Sequence, residues 1–261
     1  MTHTCRLEGL PAELAARFVV LEEDALERDF RGAPPRHGRA RTLAQRWLAS
    51  VMSDFDANGL LGTYPMQLLS TAQWGCLLGA AGGRLLDVGA GNGDVTRELA
   101  PLFDEVLTTE PSWPMARRLR RRGLRCARVD ITREPVPASP WATISCLNVL
   151  DRTARPRTLL ARLRDALAPS GRLILSLVFP YQPVRYAGAR LLEPLEPLDC
   201  AAADWETGVT RLVERELAPL GLTVERLARA PYFSGGDSDA PLYELDAAVL
   251  LCRRRAAAPP G

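Results

Sequence analysis

The sequence predicts an α/β fold, a parallel seven-stranded sheet with helices on both faces, preceded by a helical extension. Three observations carry this. From about residue 84, short apolar runs alternate with amphipathic stretches, the signature of strand–helix units. The first of those runs leads directly into a turn with three glycines, Gly89, Gly91 and Gly93. The 75 residues or so before it carry apolar positions at helical spacing, as in Leu43-Ala-Gln-Arg-Trp-Leu-Ala-Ser-Val-Met52.

Taken in order, residues 1–75 read as a helical extension or cap, broken by the loop Arg31-Gly-Ala-Pro-Pro-Arg-His-Gly38. The domain at 76–252 begins with strand Arg84–Val88 and helix 93–102, then strand Glu105–Thr109 and helix 112–122. Strand Leu124–Val129 follows, then strand Trp141–Leu147 with helix 156–168, and strand Arg172–Phe179 with helix 204–218. Strands at 221–228 and 242–252 close the sheet, and 253–261, rich in Arg, Ala and Pro, reads as a disordered tail.

At 261 residues the chain is long enough to bury a full core, and its 47% apolar and 25% charged residues are ordinary for a globular protein. All 33 basic residues are arginine, yet the net charge is only +2, so no global charge points to nucleic acid or an acidic membrane. No apolar run approaches the roughly 20 residues of a membrane span, and the first ten residues do not read as a signal peptide. The six cysteines are scattered without a CxxC pair, which argues against zinc or a disulfide framework. The expectation is a cytoplasmic monomer with no nucleic-acid partner and no metal. The arginine run 117–125 reads as a solvated helix face rather than an RNA patch.

The glycine turn reads Leu85-Leu-Asp-Val-Gly-Ala-Gly-Asn-Gly-Asp94. A dinucleotide site would place a helix N-terminus against pyrophosphate through GxGxxG. Here the spacing is GxGxG, and Asp87 stands within the strand before it, where its charge would repel a phosphate and suit an amino group or cation. Strand two ends in Glu110, placed to accept from both hydroxyls of a ribose. Strand three ends in Asp130, placed to accept from an adenine amino group. An acid before the glycines and one at the end of each of the next two strands fit S-adenosylmethionine. With Gly89, Ala90 and Gly91 as the backbone cradle, this set predicts a Rossmann-like class I methyltransferase.

The fourth strand ends in an unusual way, Ser145-Cys-Leu-Asn-Val-Leu-Asp-Arg152, with an amide and a carboxylate where a buried strand runs out. Polar groups are costly in a core unless paired. In an open parallel sheet, ligands bind beyond the carboxyl ends of the strands, so Asn148 and Asp151 should face the site. The blander alternatives are a turn former at Asn148 and a helix N-cap at Asp151.

These stretches together resemble the DREV-type methyltransferases, a family that includes a protein-histidine N-pros methyltransferase. The similarity covers roughly 50–252, through Asn58-Gly-Leu-Leu-Gly62, the glycine turn with Asp94-Val-Thr96, Thr109-Glu110, Ile144–Arg152 and Leu175-Ser-Leu-Val-Phe-Pro180. It continues in Pro231-Tyr232, Gly236-Asp237 and Tyr243-Glu-Leu-Asp-Ala-Ala-Val249. The loop Tyr181-Gln-Pro-Val-Arg-Tyr-Ala-Gly188 departs from the family pattern, as does the N-terminal region, which lacks the hydrophobic leader of animal members. The resemblance implies methylation of the π nitrogen of histidine, typically in His-x-His segments of a protein or peptide. It implies catalytic roles for Asn148, which would also meet the cofactor, for Asp151 and for Tyr243. Tyr181, Tyr232 and Asp237 are candidate substrate contacts. A methyltransferase acting on a histidine-like metabolite is the alternative.

Overall fold

The computed structural model describes residues 3–33, 38–236, 240 and 242–255. Helices α1 (Ala12–Ala15), α2 (Ala25–Gly32), α3 (Arg39–Ala49) and α4 (Asp54–Leu61) precede the two-residue strand β1 (Met66–Gln67) and helix α5 (Thr71–Leu78). Strands and helices then alternate as β2 (Arg84–Val88), α6 (Asp94–Leu99), β3 (Glu105–Thr109), α7 (Trp113–Arg121) and β4 (Arg125–Ala127). Next come β5 (Trp141–Leu147), α8 (Pro156–Ala166) and β6 (Leu167–Phe179). The hairpin β7 (Arg185–Ala187) and β8 (Arg190–Leu192), helix α9 (Trp205–Arg211), and the long strands β9 (Leu222–Gly235) and β10 (Leu242–Arg254) complete the chain.

The helix starts are written in the sequence. Asp24, Ser53, Ser112 and Asp204 each accept a backbone N–H three residues on, capping α2, α4, α7 and α9. Ser70 and Gln73 exchange side-chain-to-backbone bonds at the start of α5, a capping box.

The main sheet is ordered β1-β9-β10-β6-β5-β2-β3-β4. It is parallel from β4 to β6. β10 runs antiparallel to both β6 and β9, so the sheet is mostly parallel, with its one reversed long strand near the C-terminus. The chain between β9 and β10 is a short connection, and only antiparallel strands can be joined that way. β1 adds an eighth strand by pairing Met66 with Ser234 and Gln67 with Phe233.

β9 runs seven residues beyond its expected end. Pro231 is tolerated there because β1 covers only Phe233 and Ser234, so the neighbouring edge asks no donor of residue 231. β10 likewise runs on to Arg254, so the first two residues assigned to the tail belong to the sheet.

Side chains alternate between two buried layers, as a sheet covered on both faces demands. Leu86, Ile144, Leu173, Leu175 and Leu250 pack on one side with α8 and α9, while Leu85, Ile174, Val249 and Leu251 pack on the other with α5. The N-terminal residues share these layers: Leu10 and Leu14 join the first, and Leu21, Leu68 and Leu69 the second. Residues 17–19 also bond to β9, Val19 N–H donating to Leu227 O at 2.7 Å and Leu227 N–H to Arg17 O at 2.9 Å. Among the described residues no helix is long and apolar enough to cross a membrane.

Phe233 is fully buried in β9 and stacks on Phe30 of α2, with ring centres 5.8 Å apart. Replacing it with alanine should lower the unfolding free energy by about 3–5 kcal/mol, read from urea denaturation. A loss below about 1 kcal/mol would show that α2 is not anchored through this ring.

Candidate active site

The strand order reverses between β2 and β5, and a cleft of about 1130 Å³ opens at the carboxyl ends of the central strands. Its floor is the turn after β2. Asp87 is 2% exposed and accepts from Ser145 Oγ of β5 and from Thr96 Oγ1 of α6, each at 2.6 Å. Burial pushes this carboxyl above the ordinary carboxylate range, while the two hydroxyls pull it back. Asp87 thus locks strand, neighbour strand and helix into one unit, in addition to lining the cleft.

The glycines serve different ends. A Cβ on Gly89 (φ 69°) would lie 2.7 Å from Val149 Cγ2, so this glycine lets the strand-four loop close over the turn. A Cβ on Gly91 (φ 55°) would meet nothing within 4 Å, so here the backbone itself faces open space.

Glu110 bridges two loops, Oε2 accepting from Gly91 N–H and Oε1 from Ser112 N–H, each at 2.9 Å. Burial raises its carboxyl to about 7, with the two N–H groups lowering it and Asp56 and Asp87 raising it. Asp130, beyond β4, accepts from the N–H and hydroxyl of Thr132 at 2.9 and 2.7 Å.

On the far side of the turn stands the end of β5. Asn148 adopts φ 54°, a left-handed conformation that asparagine tolerates. It therefore both forms the turn and lines the cleft. Its N–H donates to Ser176 O at 3.1 Å, and Ser176 Oγ donates to its Oδ1 at 3.0 Å. Its buried Nδ2 has no partner at hydrogen-bonding geometry, although the amide lies near enough to the Tyr232 phenol to temper it.

Asp151 is 4% exposed; Oδ2 lies 3.2 Å from Arg152 Nε, and buried Oδ1 has no partner among the described residues. Burial pushes its carboxyl up, against a smaller lowering by Arg152. It caps no helix: the N-cap position of α8 is Arg155.

The other expected contacts divide. Tyr232 lines the cleft, its hydroxyl donating to Met66 Sδ at 2.7 Å. Tyr181 does not reach it: the ring is 5% exposed in the core, and its hydroxyl accepts from Leu198 N–H at 3.5 Å. The loop after Pro180 turns this ring inward and presents Arg185 and Tyr186 to the cleft instead. Tyr243 lies outside the lining, with its ring centre 6.4 Å from that of Tyr64. The pleat puts it on the same sheet face as the lining residue Leu245, two positions further along β10. Asp237 lies outside the described residues.

Sequence reasoning missed Asp56, Arg152, Arg185 and Tyr186, all of which line the cleft. The left-handed Gly188 (φ 61°), between two short apolar runs, was the available sign of the β7–β8 hairpin that brings in the last two. Three arginines of the 117–125 run are structural ties. Arg118 donates to Gly59 O, Arg120 to Cys126 O and Arg122 to Asn92 O. Among the described residues no three His, Cys, Asp or Glu side chains gather as a metal site.

A doubly covered sheet with acids at three strand ends and a glycine backbone facing open space defines a class I S-adenosylmethionine-dependent methyltransferase. The chain belongs to the DREV methyltransferase family, whose model matches residues 8–254. Among solved structures it is similar to the [4+2]-cyclase SpnF, at 15% identity over 86% of this chain and 99% of that one, TM-score 0.51. It is similar also to a proposed methyltransferase of Bacillus halodurans C-125, at 13% identity over 71% and 99%, TM-score 0.50. These two likenesses show the fold. The DhpI–SAH complex matches at 18% identity over 83% and 98%, TM-score 0.49.

The residues present fit S-adenosylmethionine, since Gly91 leaves room beside its backbone and Glu110 and Asp130 present acceptors on the cleft. Hydroxyl donors from a ribose favour the charged form of Glu110. S-adenosylhomocysteine affinity should therefore be full above pH 7 and weaken below it, by at most about tenfold per pH unit. Glu110→Gln should bind weakly at every pH, and calorimetry between pH 5.5 and 7 that shows the wild-type slope in this variant would contradict the role.

Proposed function

We propose that this chain transfers a methyl group to the N-pros (π, Nδ1) nitrogen of histidine in a protein or peptide, within His-x-His segments. The observation that carries this is Asp151, a buried carboxyl group on the cleft whose Oδ1 has no partner among the described residues. S-adenosylmethionine, when bound, supplies an electrophilic methyl on a sulfonium.

Imidazole has an unperturbed pKa of about 6.5 and is mostly neutral at pH 7, so it needs orientation more than deprotonation. Its π nitrogen is nucleophilic only when the proton sits on the τ nitrogen. An acceptor facing the τ N–H selects that tautomer and aims the ring. Asn148 is poorly suited to this, because Ser176 already donates to its Oδ1 and what remains on offer is an N–H donor. That donor suits a carboxylate or a substrate carbonyl.

Asp151 is suited. Its charge also opposes the positive charge that grows on the ring as the N–CH3 bond forms, a gain realised only in the transition state. The π nitrogen's lone pair forms the N–CH3 bond as the S–CH3 bond breaks. The product imidazolium keeps its τ N–H, hydrogen-bonded to Asp151, until it gives that proton to solvent, so the transfer step requires no base. Tyr243, on the sheet face beyond the lining, is assigned to substrate backbone contact at the rim.

The cleft has to hold the cofactor as well as the methyl acceptor, and its lining runs out onto the exposed side chains of Leu60 and Trp113, an open rim that favours a peptide over an enclosed metabolite. Incubation with labelled cofactor should methylate a His-Ala-His peptide and spare Ala-Ala-Ala, with mass spectrometry finding π- and not τ-methylhistidine. Asp151→Ala should lower kcat/KM by about 100-fold or more at unchanged S-adenosylhomocysteine affinity. Asp151→Asn, whose amide oxygen still accepts, should fall between. Equal activity of Asp151→Ala and wild type would sink the assignment.

A further inference from the structure

Helix α3 is turned inside out. Thr42 (3% exposed) and Gln45 (6%) face inward, while Leu43 (64%) and Trp47 (68%) face outward, followed by Val51 (63%) in the turn just past the helix end. Gln45 Nε2 donates to Asp54 Oδ1 at 2.7 Å, a bond that rotating the helix would break, while Thr42 Oγ1 is buried with no partner among the described residues. Helices normally bury the apolar stripe and expose the polar one. The outward stripe continues onto Leu60 (47%) and Trp113 (49%), and Val51, Leu60 and Trp113 all line the active-site cleft. Arginines flank it: Arg41 is exposed, Arg117 lies over the Trp113 ring, 5.5 Å from its centre, and Arg128, Arg152 and Arg185 line the cleft.

We propose that the apolar face of α3, with Leu60 and Trp113, is the docking surface for the substrate polypeptide. It would take a segment beside the methylated histidine that carries apolar side chains at helical spacing and acidic neighbours. Continuity with the cleft argues for the substrate, because a chain whose histidine enters the cleft must leave it over its lining residues. The flanking arginines exclude a basic segment and pair with an acidic one. This rests on the peptide reading given above for the same site.

The test uses the full chain and two 24-residue peptides with one His-Ala-His core. One carries Leu and Trp four apart with two Glu in its flank, and the other carries Ser and Gln there. A histidine-free copy of the first peptide, with Ala at both histidines, is used for fluorescence anisotropy. Wild type should bind the histidine-free apolar peptide and show a KM for the apolar substrate about tenfold below that for the polar one, the size of one good anchor. Leu43→Glu with Trp47→Glu should abolish both effects and leave turnover of the bare His-Ala-His peptide unchanged.

Equal KM values together with no anisotropy signal would overturn the docking surface and leave histidine methylation standing. Binding of the histidine-free peptide without methylation of any peptide would support the surface and overturn the histidine reading. Sedimentation with phosphatidylserine vesicles, or a dimer by light scattering, that the double variant abolishes while the peptides show no preference would assign the face elsewhere and overturn the proposal.

Discussion

The site depends on one buried carboxylate. Asp87 holds hydroxyls from β5 and α6 at 2.6 Å, in a place where an unpaired charge would be strongly disfavoured. Two hydroxyl donors make the burial tolerable, and in return three elements meet at fixed spacing. The glycine turn is then held from the other side by Glu110, which accepts from Gly91 and Ser112. Ser112 in turn donates its hydroxyl to Asp56 of α4 at 2.6 Å. Two sets of hydrogen bonds, joined through the backbone of the glycine turn, therefore tie the core of the sheet to α4 at the wall of the cleft.

The two polar residues after β5 are arranged by the same economy of partners. Ser176 of β6 occupies Asn148 at both its backbone N–H and its side-chain oxygen, which fixes what that amide has left to give. Asp151 retains an oxygen with nothing to accept from. Buried polar atoms are nearly always satisfied, so an orphan on the wall of a ligand cleft marks where a ligand donor belongs. A histidine τ N–H is a donor of the right kind, and the ring's growing positive charge is what a carboxylate stabilises best.

Which residues after β2, β3 and β4 reach the cleft was legible in the sequence because backbone constraints left their mark on residue type. Asp87, the glycines, Glu110 and Asp130 stand at strand ends, and the strand–helix alternation located those ends closely. The fourth-strand pair was legible for the same reason. The substrate half was not. Tyr181 and Tyr186 lie five residues apart, the first just after Pro180 and the second in β7, and nothing in their spacing says that the first turns into the core and the second toward the cleft. Pro231 and Arg229 hid the length of β9, because proline breaks strand patterns and a charged residue looks out of place in a buried strand until its partner is known, here Asp246 on the opposing strand at 2.6 Å. The N-terminal helices showed their period but not their orientation. Helix α3 buries its polar side, which contradicts the rule from which orientation is inferred.

The tautomer of the bound imidazole is the most direct test of the account. A His-Ala-His peptide labelled with 15N in both rings, bound to the enzyme with S-adenosylhomocysteine at pH 7.5, reports it through the ring-nitrogen shifts. The account predicts one ring held with its proton on the τ nitrogen and its π nitrogen bare, a state lost in Asp151→Ala. A bound ring protonated on the π nitrogen, or on both, would contradict it.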